Sequence, residues 1–347
     1  MTVGSTTEAS AGPRTRPDVT VLDTGTGEGD EPGVPPRTLM PSAEASGCEP
    51  VRVAADRWLV NVMDTVFSLV IPQPTRGDGS RGALSSRHDD GSREPSPWST
   101  VVEAIADDWR TTEERLSVFR PDSEINLWQR GEILDDRLSP ETRAVIAACD
   151  RLERRTGGLF SAHRDGGYDP SGHARTYDPT GYVKGWALAR AARLLDQASA
   201  ASYCVNGGGD VVARGLGPHH VPWRIGVAHP YRPGELATIV TTVPGDERTV
   251  AVATSGTGER GQHVIDPIDG WRPTCSTVTV VGHDIALADA IATAALAAGH
   301  DGSAAPAALV VRFGLEAFGF GEDRRPWWTP GMTAYAPLPT SPCGQGQ

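Results

Sequence analysis

Four segments of the chain carry the apolar spacing or the end signals of helices. We predict helices over residues 98–116, 140–156, 184–200 and 284–299. The spacing is clearest in KGWALARAARLLDQASA, where apolar residues recur every three or four positions. Gly157 should end the second helix, whereas Asp284 should cap the start of the last one and Gly299 should end it.

Short runs rich in β-branched and apolar residues lie between these helices and predict strands. They occupy residues 58–71, 202–215, 222–230, 237–243, 249–256 and 274–282. Strands and helices in this order predict an α+β fold, a single domain of mixed sheets flanked by helices. We expect this domain to span residues 51–340.

Three segments differ in composition from this domain core. Residues 1–50 are rich in Gly, Pro, Ser, Thr and acidic residues, and they should form a disordered N-terminal tail because they bury little apolar surface. Residues 75–97 are polar and predict a surface insertion. From residue 326 onward the chain is rich in Pro, Trp and Thr, and it should wrap the surface.

The overall charge and the cysteines limit the possible functions. A formal net charge of −12 argues against binding to nucleic acid through phosphate neutralisation. The five cysteines lack the spacing of a zinc site or a disulfide framework, which favours reduced thiols. The sequence shows no signal peptide and no stretch long enough to cross a membrane, so we expect a cytoplasmic protein.

Asp289 interrupts an otherwise apolar helix, ALADAIATAALA, and Thr293 follows one turn later on the same face. A buried carboxylate needs a partner, and two hard oxygen donors at this spacing suit Mg²⁺. An Asp on the wet face of an alanine-rich helix explains the pattern equally well.

Three further motifs carry possible chemistry, and each also has an ordinary structural explanation. In YDPTGYVKGWALARA, a helix start near Lys184 could bind an anion, or it could be a simple capped helix. The three glycines from Gly207 to Gly209 indicate either a close backbone approach or a tight turn. His263, which precedes the turn DPIDG, could be structural or could transfer a proton.

The order of these motifs along the chain is more specific than any one of them. The motifs are MDT (63–65), LSVFRPDSEIN (116–126), TGGLF (156–160), YDPTGYVKGWALARA (177–191), VNGGGDV (205–211), ATSGTGERGQHVIDPIDG (253–270) and VTVVGHDIALADAIATA (278–294). Over roughly residues 58–300 this series resembles the ApbE-type FAD:protein FMN transferases.

The resemblance implies an ApbE-like fold, FAD as substrate, Mg²⁺ as cofactor and an acceptor flavoprotein as partner. Its implied FAD contacts are Met63, Phe119, Leu159, Phe160, Ser161, Lys184, Arg190 and Ile265. The implied Mg²⁺ ligands are the Ala187 carbonyl, Asp289 and Thr293. FMN would then pass from FAD to an acceptor threonine, with Asp289 holding the metal and His263 as the candidate proton acceptor.

The sequence departs from the family pattern at several of these positions. Asp64 and Phe119 stand where relatives carry Gly and Tyr, and Ser161 replaces an Asp, while DPTG replaces DLGG. None of these changes affects Asp289 or Thr293. Two alternatives stay open: a Mg²⁺-dependent FAD pyrophosphatase that gives FMN and AMP, and a non-catalytic FAD-binding protein.

Overall fold

The computed structural model describes residues 19–21, 49–72, 96–163, 172–173, 176–256, 275–299, 303–321 and 323–338. Its described strands are β1 (Val19–Val21), β2 (Val51–Ala54), β3 (Arg57–Val62), β4 (Thr65–Val70), β5 (Tyr203–Gly207), β6 (Asp210–Arg214), β7 (Arg224–Ala228), β8 (Leu236–Thr241), β9 (Val250–Gly256), β10 (Thr277–Gly282), β11 (Glu316–Phe320) and β12 (Pro326–Trp328). Its described helices of four residues or more in α conformation are α1 (Ser99–Leu116), α2 (Glu124–Gln129), α3 (Pro140–Thr156), α4 (Thr180–Gln197), α5 (Ile285–Ala297) and α6 (Ala304–Arg312).

The strands form two sheets. The larger sheet has the order β12-β11-β10-β9-β6-β5-β4-β3-β2, and the smaller has the order β1-β7-β8. Every described pair of strands is antiparallel, so the sheets are not mixed in strand direction. Alternate residues of the large sheet therefore point to two different cores.

One core lies between the large sheet and the helices. Val278 and Val280 of β10 pack there with α5, which is buried on nearly all sides, as its continuous apolar sequence requires. The other core lies between the large sheet and the small one, where Val252 and Val281 pack with Ile225 of β7. This arrangement holds α5 centrally, with α4 packed against it.

The α+β class and the predicted helices are confirmed, with one shifted boundary. The segment predicted to begin at residue 184 begins at Thr180 as α4, so Lys184 lies one turn inside the helix. The sequence analysis missed the short helices α2 and α6. Among the described residues, no helix is both long and apolar enough to span a membrane.

The two ends of the chain differ from the predictions. Residues 19–21, expected to be disordered, form strand β1 against β7, so the prediction is wrong for these three residues. In the C-terminal segment, Trp327 is buried in edge strand β12 rather than lying on the surface. Most of the predicted 75–97 insertion lies outside the described residues.

A two-residue turn joins β3 to β4. Met63 and Asp64 both have positive φ, at 54° and 55°. This conformation costs energy for residues with a Cβ atom, although Asp tolerates it better than most. The turn therefore explains why a glycine would be favourable at the exposed position 64.

Asp64→Gly should raise the free energy of unfolding by about 0.5–1 kcal/mol, because glycine adopts positive φ without the Cβ penalty. Urea denaturation would measure the change. Asp56→Gly is a matched control, since Asp56 lies in the neighbouring turn and is not among the described residues with positive φ. It should destabilise the protein through unfolded-state entropy. A loss of stability in Asp64→Gly would contradict the expectation.

Candidate functional site

The buried carboxylate of Asp289 is the centre of the candidate site. Asp289 is 6% exposed on α5, and its Oδ2 accepts a hydrogen bond of 2.9 Å from the N–H of Gly185 on α4. The helices can approach this closely because Gly185 has no side chain. A Cβ atom there would lie 2.7 Å from the Ile285 carbonyl oxygen and 2.8 Å from the Asp289 Cβ. Asp289 therefore does not lie on a solvent-exposed face of the helix, and that explanation of the pattern is wrong.

Thr293 lies one turn after Asp289 and faces the start of α4. Its Oγ1 is 3.2 Å from the Oγ of Ser255 at the end of β9. A Cβ atom on Gly181 would lie 3.7 Å from the Thr293 Oγ1 and 3.3 Å from the ring of buried Phe160. The structure thus brings Asp289, Thr293 and Phe160 to one region between α4, α5 and β9.

Lys184 occupies a neighbouring position on α4. Its Nζ is 2.8 Å from Oδ2 of Asp210, whose side chain is 1% exposed. The other oxygen of Asp210 accepts a 3.1 Å hydrogen bond from the N–H of Thr254 on β9. The prediction of Lys184 at a helix start is wrong, because the start of the helix is formed by Thr180, whose N–H donates to Asp178. Asp210, which belongs to the glycine-rich motif of the sequence but was assigned no role there, connects Lys184 to β9.

The glycine-rich motif forms the tight β5–β6 turn beside Lys184. Gly208 and Gly209 have φ values of 58° and 95°, and the Asn206 Oδ1 accepts a hydrogen bond from the Gly209 N–H. A Cβ atom on Gly208 would lie 3.4 Å from the Thr65 Oγ1 and 3.8 Å from the Lys184 Cδ. The turn thus lies between Lys184 and the Met63–Thr65 motif.

Two residues of α4 that were predicted to belong to the site, Ala187 and Arg190, make contacts with α1. The Ala187 carbonyl is buried and accepts a 3.0 Å hydrogen bond from the Trp109 indole of α1. A carbonyl oxygen has a second lone pair, so this hydrogen bond leaves the assignment of Ala187 as a metal ligand a prediction. Arg190 also faces α1, where its Nε donates to both carboxylate oxygens of Asp108, at 2.9 and 2.8 Å. These bonds raise the pKa of Arg190.

The remaining residues that were predicted to contact FAD or to accept the proton lie in several parts of the chain. Phe119 is 60% exposed in the loop after α1, and Leu159 lines a groove against α6. The N–H of Met63, in the β3–β4 turn, donates to Glu113 of α1 over 3.1 Å. His263 and Ile265 lie outside the described residues. Their assigned roles stay predictions, as do the FAD contacts of the other residues.

Ser161 belongs to a small surface cluster that the sequence analysis missed. Its hydroxyl donates to Glu153 over 2.7 Å. One ligand atom each from Asp150, Glu153 and His163 lies within 4.8 Å of the others. The spacing of the two acidic residues on α3 was visible in the sequence, but the return of His163 to them depends on the fold.

Comparisons with known proteins agree with this architecture. The model described as the ApbE family matches residues 171–317. A FAD:protein FMN transferase of Vibrio cholerae is 32% identical over 192 residues, covering 51% of this chain and 54% of the relative. The protein of the same name from Escherichia coli K12 is 28% identical over 166 residues, with coverages of 44% and 45%. The chain spans about half the length of the curated relatives it matches.

Solved structures extend the similarity of fold over most of the chain. The flavin transferase ApbE of Vibrio cholerae has a TM-score of 0.57 at 20% identity, covering 83% of this chain and 99% of that protein. The ApbE protein of Thermotoga maritima has a TM-score of 0.62 at 20% identity, with coverages of 80% and 98%. At these identities the comparison establishes a common fold.

Proposed function

We propose that the protein is a FAD:protein FMN transferase of the ApbE family, whose model matches residues 171–317. It transfers the FMN moiety of FAD to a threonine hydroxyl of an acceptor protein and releases AMP. The observation that carries the proposal is the Asp289–Thr293 pair on α5. The pair lies within residues 171–317, and Asp289 accepts a hydrogen bond from α4.

The donor set fits Mg²⁺. Asp289 and Thr293 offer a carboxylate and a hydroxyl one turn apart, and Mg²⁺ prefers such hard oxygen ligands in small number. The Gly185 N–H fixes the orientation of the carboxylate. On α4, Gly181 lies close to Thr293, since a Cβ atom there would be 3.7 Å from the Thr293 Oγ1. The Ala187 carbonyl is the proposed third ligand. Bound Mg²⁺ would neutralise negative charge on the diphosphate of FAD.

The reaction is a displacement at the phosphorus on the FMN side of FAD. A bond forms from the threonine oxygen to this phosphorus, and the bond from phosphorus to the bridging oxygen breaks, so that AMP leaves with that oxygen. We assign the hydroxyl proton to His263, and Lys184 holds a diphosphate oxygen. His263→Ala that retains full transfer activity and normal FAD binding would remove His263 from this role.

The proposal can be tested with purified protein, FAD and Mg²⁺. The acceptor would carry a threonine in an Asp-Gly-x-[Ser/Thr]-[Ser/Ala]-Thr segment, and intact-mass spectrometry would follow it. We expect a covalent FMN adduct on this threonine, with none after chelation of divalent metal or in the matching Thr→Ala acceptor. Free FMN and AMP without an adduct would establish a pyrophosphatase instead. Binding of FAD without formation of any product would contradict the proposed catalytic activity and would indicate a non-catalytic FAD-binding protein.

Ser255→Ala should weaken Mg²⁺ binding by about tenfold, as the loss of a group that orients a metal ligand typically does. A threonine oxygen that ligates a metal must direct its proton elsewhere, and the Ser255 Oγ lies 3.2 Å from it. Titration of transfer activity with Mg²⁺ would measure the change. Thr279→Ala is the control, because Thr279 makes a similar hydroxyl contact with Thr254 away from the metal ligands. Equal Mg²⁺ dependence in both variants would contradict the assignment.

A further inference from the structure

The carboxylate of Asp210 is almost completely buried, yet it contacts two elements of the candidate site. Its side chain is 1% exposed, and its two oxygens approach the Nζ of Lys184 at 2.8 Å and the N–H of Thr254 at 3.1 Å. Burial of a carboxylate is unfavourable unless a charge and hydrogen bonds compensate for it. The Lys184 ammonium compensates the charge through an ion pair with Oδ2, and the Thr254 N–H supplies a hydrogen bond to Oδ1.

The fold explains how Asp210 reaches both partners. Asp210 is the first residue of β6, directly after the tight turn at Gly208 and Gly209. Strand β6 pairs with β9, so that the start of β6 lies beside Thr254. Lys184 reaches the same carboxylate from α4.

Through Thr254, Asp210 also connects with the metal ligands. The residue after Thr254 is Ser255, whose hydroxyl contacts Thr293. The carboxylate therefore ties the ammonium group of Lys184 to the strand that contacts Thr293. A lysine side chain is otherwise a flexible four-carbon stem with a rotating ammonium group.

We propose that Asp210 is a positioning residue that directs the ammonium group of Lys184 at the reacting diphosphate. This inference rests on the proposed function. An ammonium group that is partly neutralised by a carboxylate attracts a bound anion less strongly than an unpaired one does. The pair is therefore better suited to fixing the geometry of the reacting phosphate than to binding FAD tightly. Misplacement by about 1 Å can cost a factor of about 100 in rate.

Asp210→Asn separates these effects, because asparagine keeps the shape and can still accept from Thr254 while the negative charge is lost. We expect kcat for transfer to fall about 10- to 100-fold. The Kd for FAD, measured from flavin fluorescence, should stay the same or decrease. In a Lys184→Gln background the same substitution should have little additional effect, since the group that it positions is absent. Wild-type kcat in Asp210→Asn, or an equal loss of kcat in both backgrounds, would overturn the inference.

A second measurement keeps the inference testable if Asp210→Asn folds poorly or if the wild type transfers no FMN. In Asp210→Glu the charge is kept but displaced, so kcat should be reduced with little change in the Kd for FAD, and wild-type kcat there would overturn the proposal. Acetic anhydride labelling of Lys184, followed by mass spectrometry, needs no turnover. The rate of acetylation should rise several-fold in Asp210→Glu, and an unchanged rate would also overturn the inference. Failure of wild-type transfer would count against the proposed function alone.

Discussion

Asp289→Asn is expected to lower the rate of FMN transfer by about 100- to 1,000-fold, which is typical for the loss of a main electrostatic group of a catalytic site. Asparagine keeps the size of the side chain, and its carbonyl oxygen can accept the hydrogen bond from Gly185. The substitution removes the negative charge that a hard divalent cation requires. The packing of α4 against α5 should therefore survive while the proposed Mg²⁺ binding is lost.

The measurement is the rate of adduct formation on the acceptor as a function of Mg²⁺ concentration. Asp284→Asn is a closely matched control on the same helix. Asp284 caps α5 by accepting hydrogen bonds from the N–H groups of Ala286 and Leu287. Asparagine caps helices about as well as Asp, so this variant should transfer FMN at nearly the wild-type rate.

Two results would count against the assignment of Asp289. One is transfer by Asp289→Asn at the wild-type rate and with the wild-type Mg²⁺ dependence. The other is equal loss of activity in Asp289→Asn and Asp284→Asn, which would indicate a general effect of removing charge from α5. Circular dichroism of both variants would establish that the helices are intact.

The sequence was sufficient to predict α5 and its ends, but not the environment of Asp289. The apolar run, the acidic cap at Asp284 and Gly299 are local signals, and the structure confirms the helix between them. Whether Asp289 faces water depends on what packs around α5. That packing is set by Gly185, which lies about 100 residues away in the sequence and comes close only after folding.

The start of α4 at Thr180, one turn before Lys184, has a local sequence signal. Asp178 accepts hydrogen bonds from both the N–H and the hydroxyl of Thr180, at 3.0 and 2.6 Å. An Asp two residues before a Thr at a chain reversal is typical of a helix start. The Asp-Pro-Thr sequence therefore marked the start of α4 one turn before Lys184.

The contact of Ala187 with α1 had no local signal. An alanine in a helix gives no indication of which side chain will pack against its carbonyl. The buried indole N–H of Trp109 needs an acceptor and finds one in this carbonyl only after folding. The burial of Asp210 could not be predicted for a related reason, since an Asp after a glycine turn is a common surface residue until the fold buries it.

Gly185→Ala should destabilise the protein by about 1 kcal/mol net, because overpacking in a well-packed interior typically costs about 1–3 kcal/mol. The added methyl group would lie 2.7 Å from the Ile285 carbonyl oxygen and 3.0 Å from the Ala286 Cα. These are backbone atoms of α5, so α4 and α5 must move apart. The gain in helix propensity, about 1 kcal/mol for Gly to Ala, offsets only part of this cost.

Separation of the helices should also affect the site, since it moves the Gly185 N–H away from Asp289. We expect weaker Mg²⁺ binding as well as a lower midpoint of urea denaturation. Gly181→Ala, one turn earlier on α4, is the matched control. Its methyl group would first meet the ring of Phe160 at 3.3 Å, and a side chain can adjust where backbone cannot. This control should lose less stability than Gly185→Ala. If Gly185→Ala kept wild-type stability and Mg²⁺ affinity, close contact between α4 and α5 would not be what holds Asp289 in place.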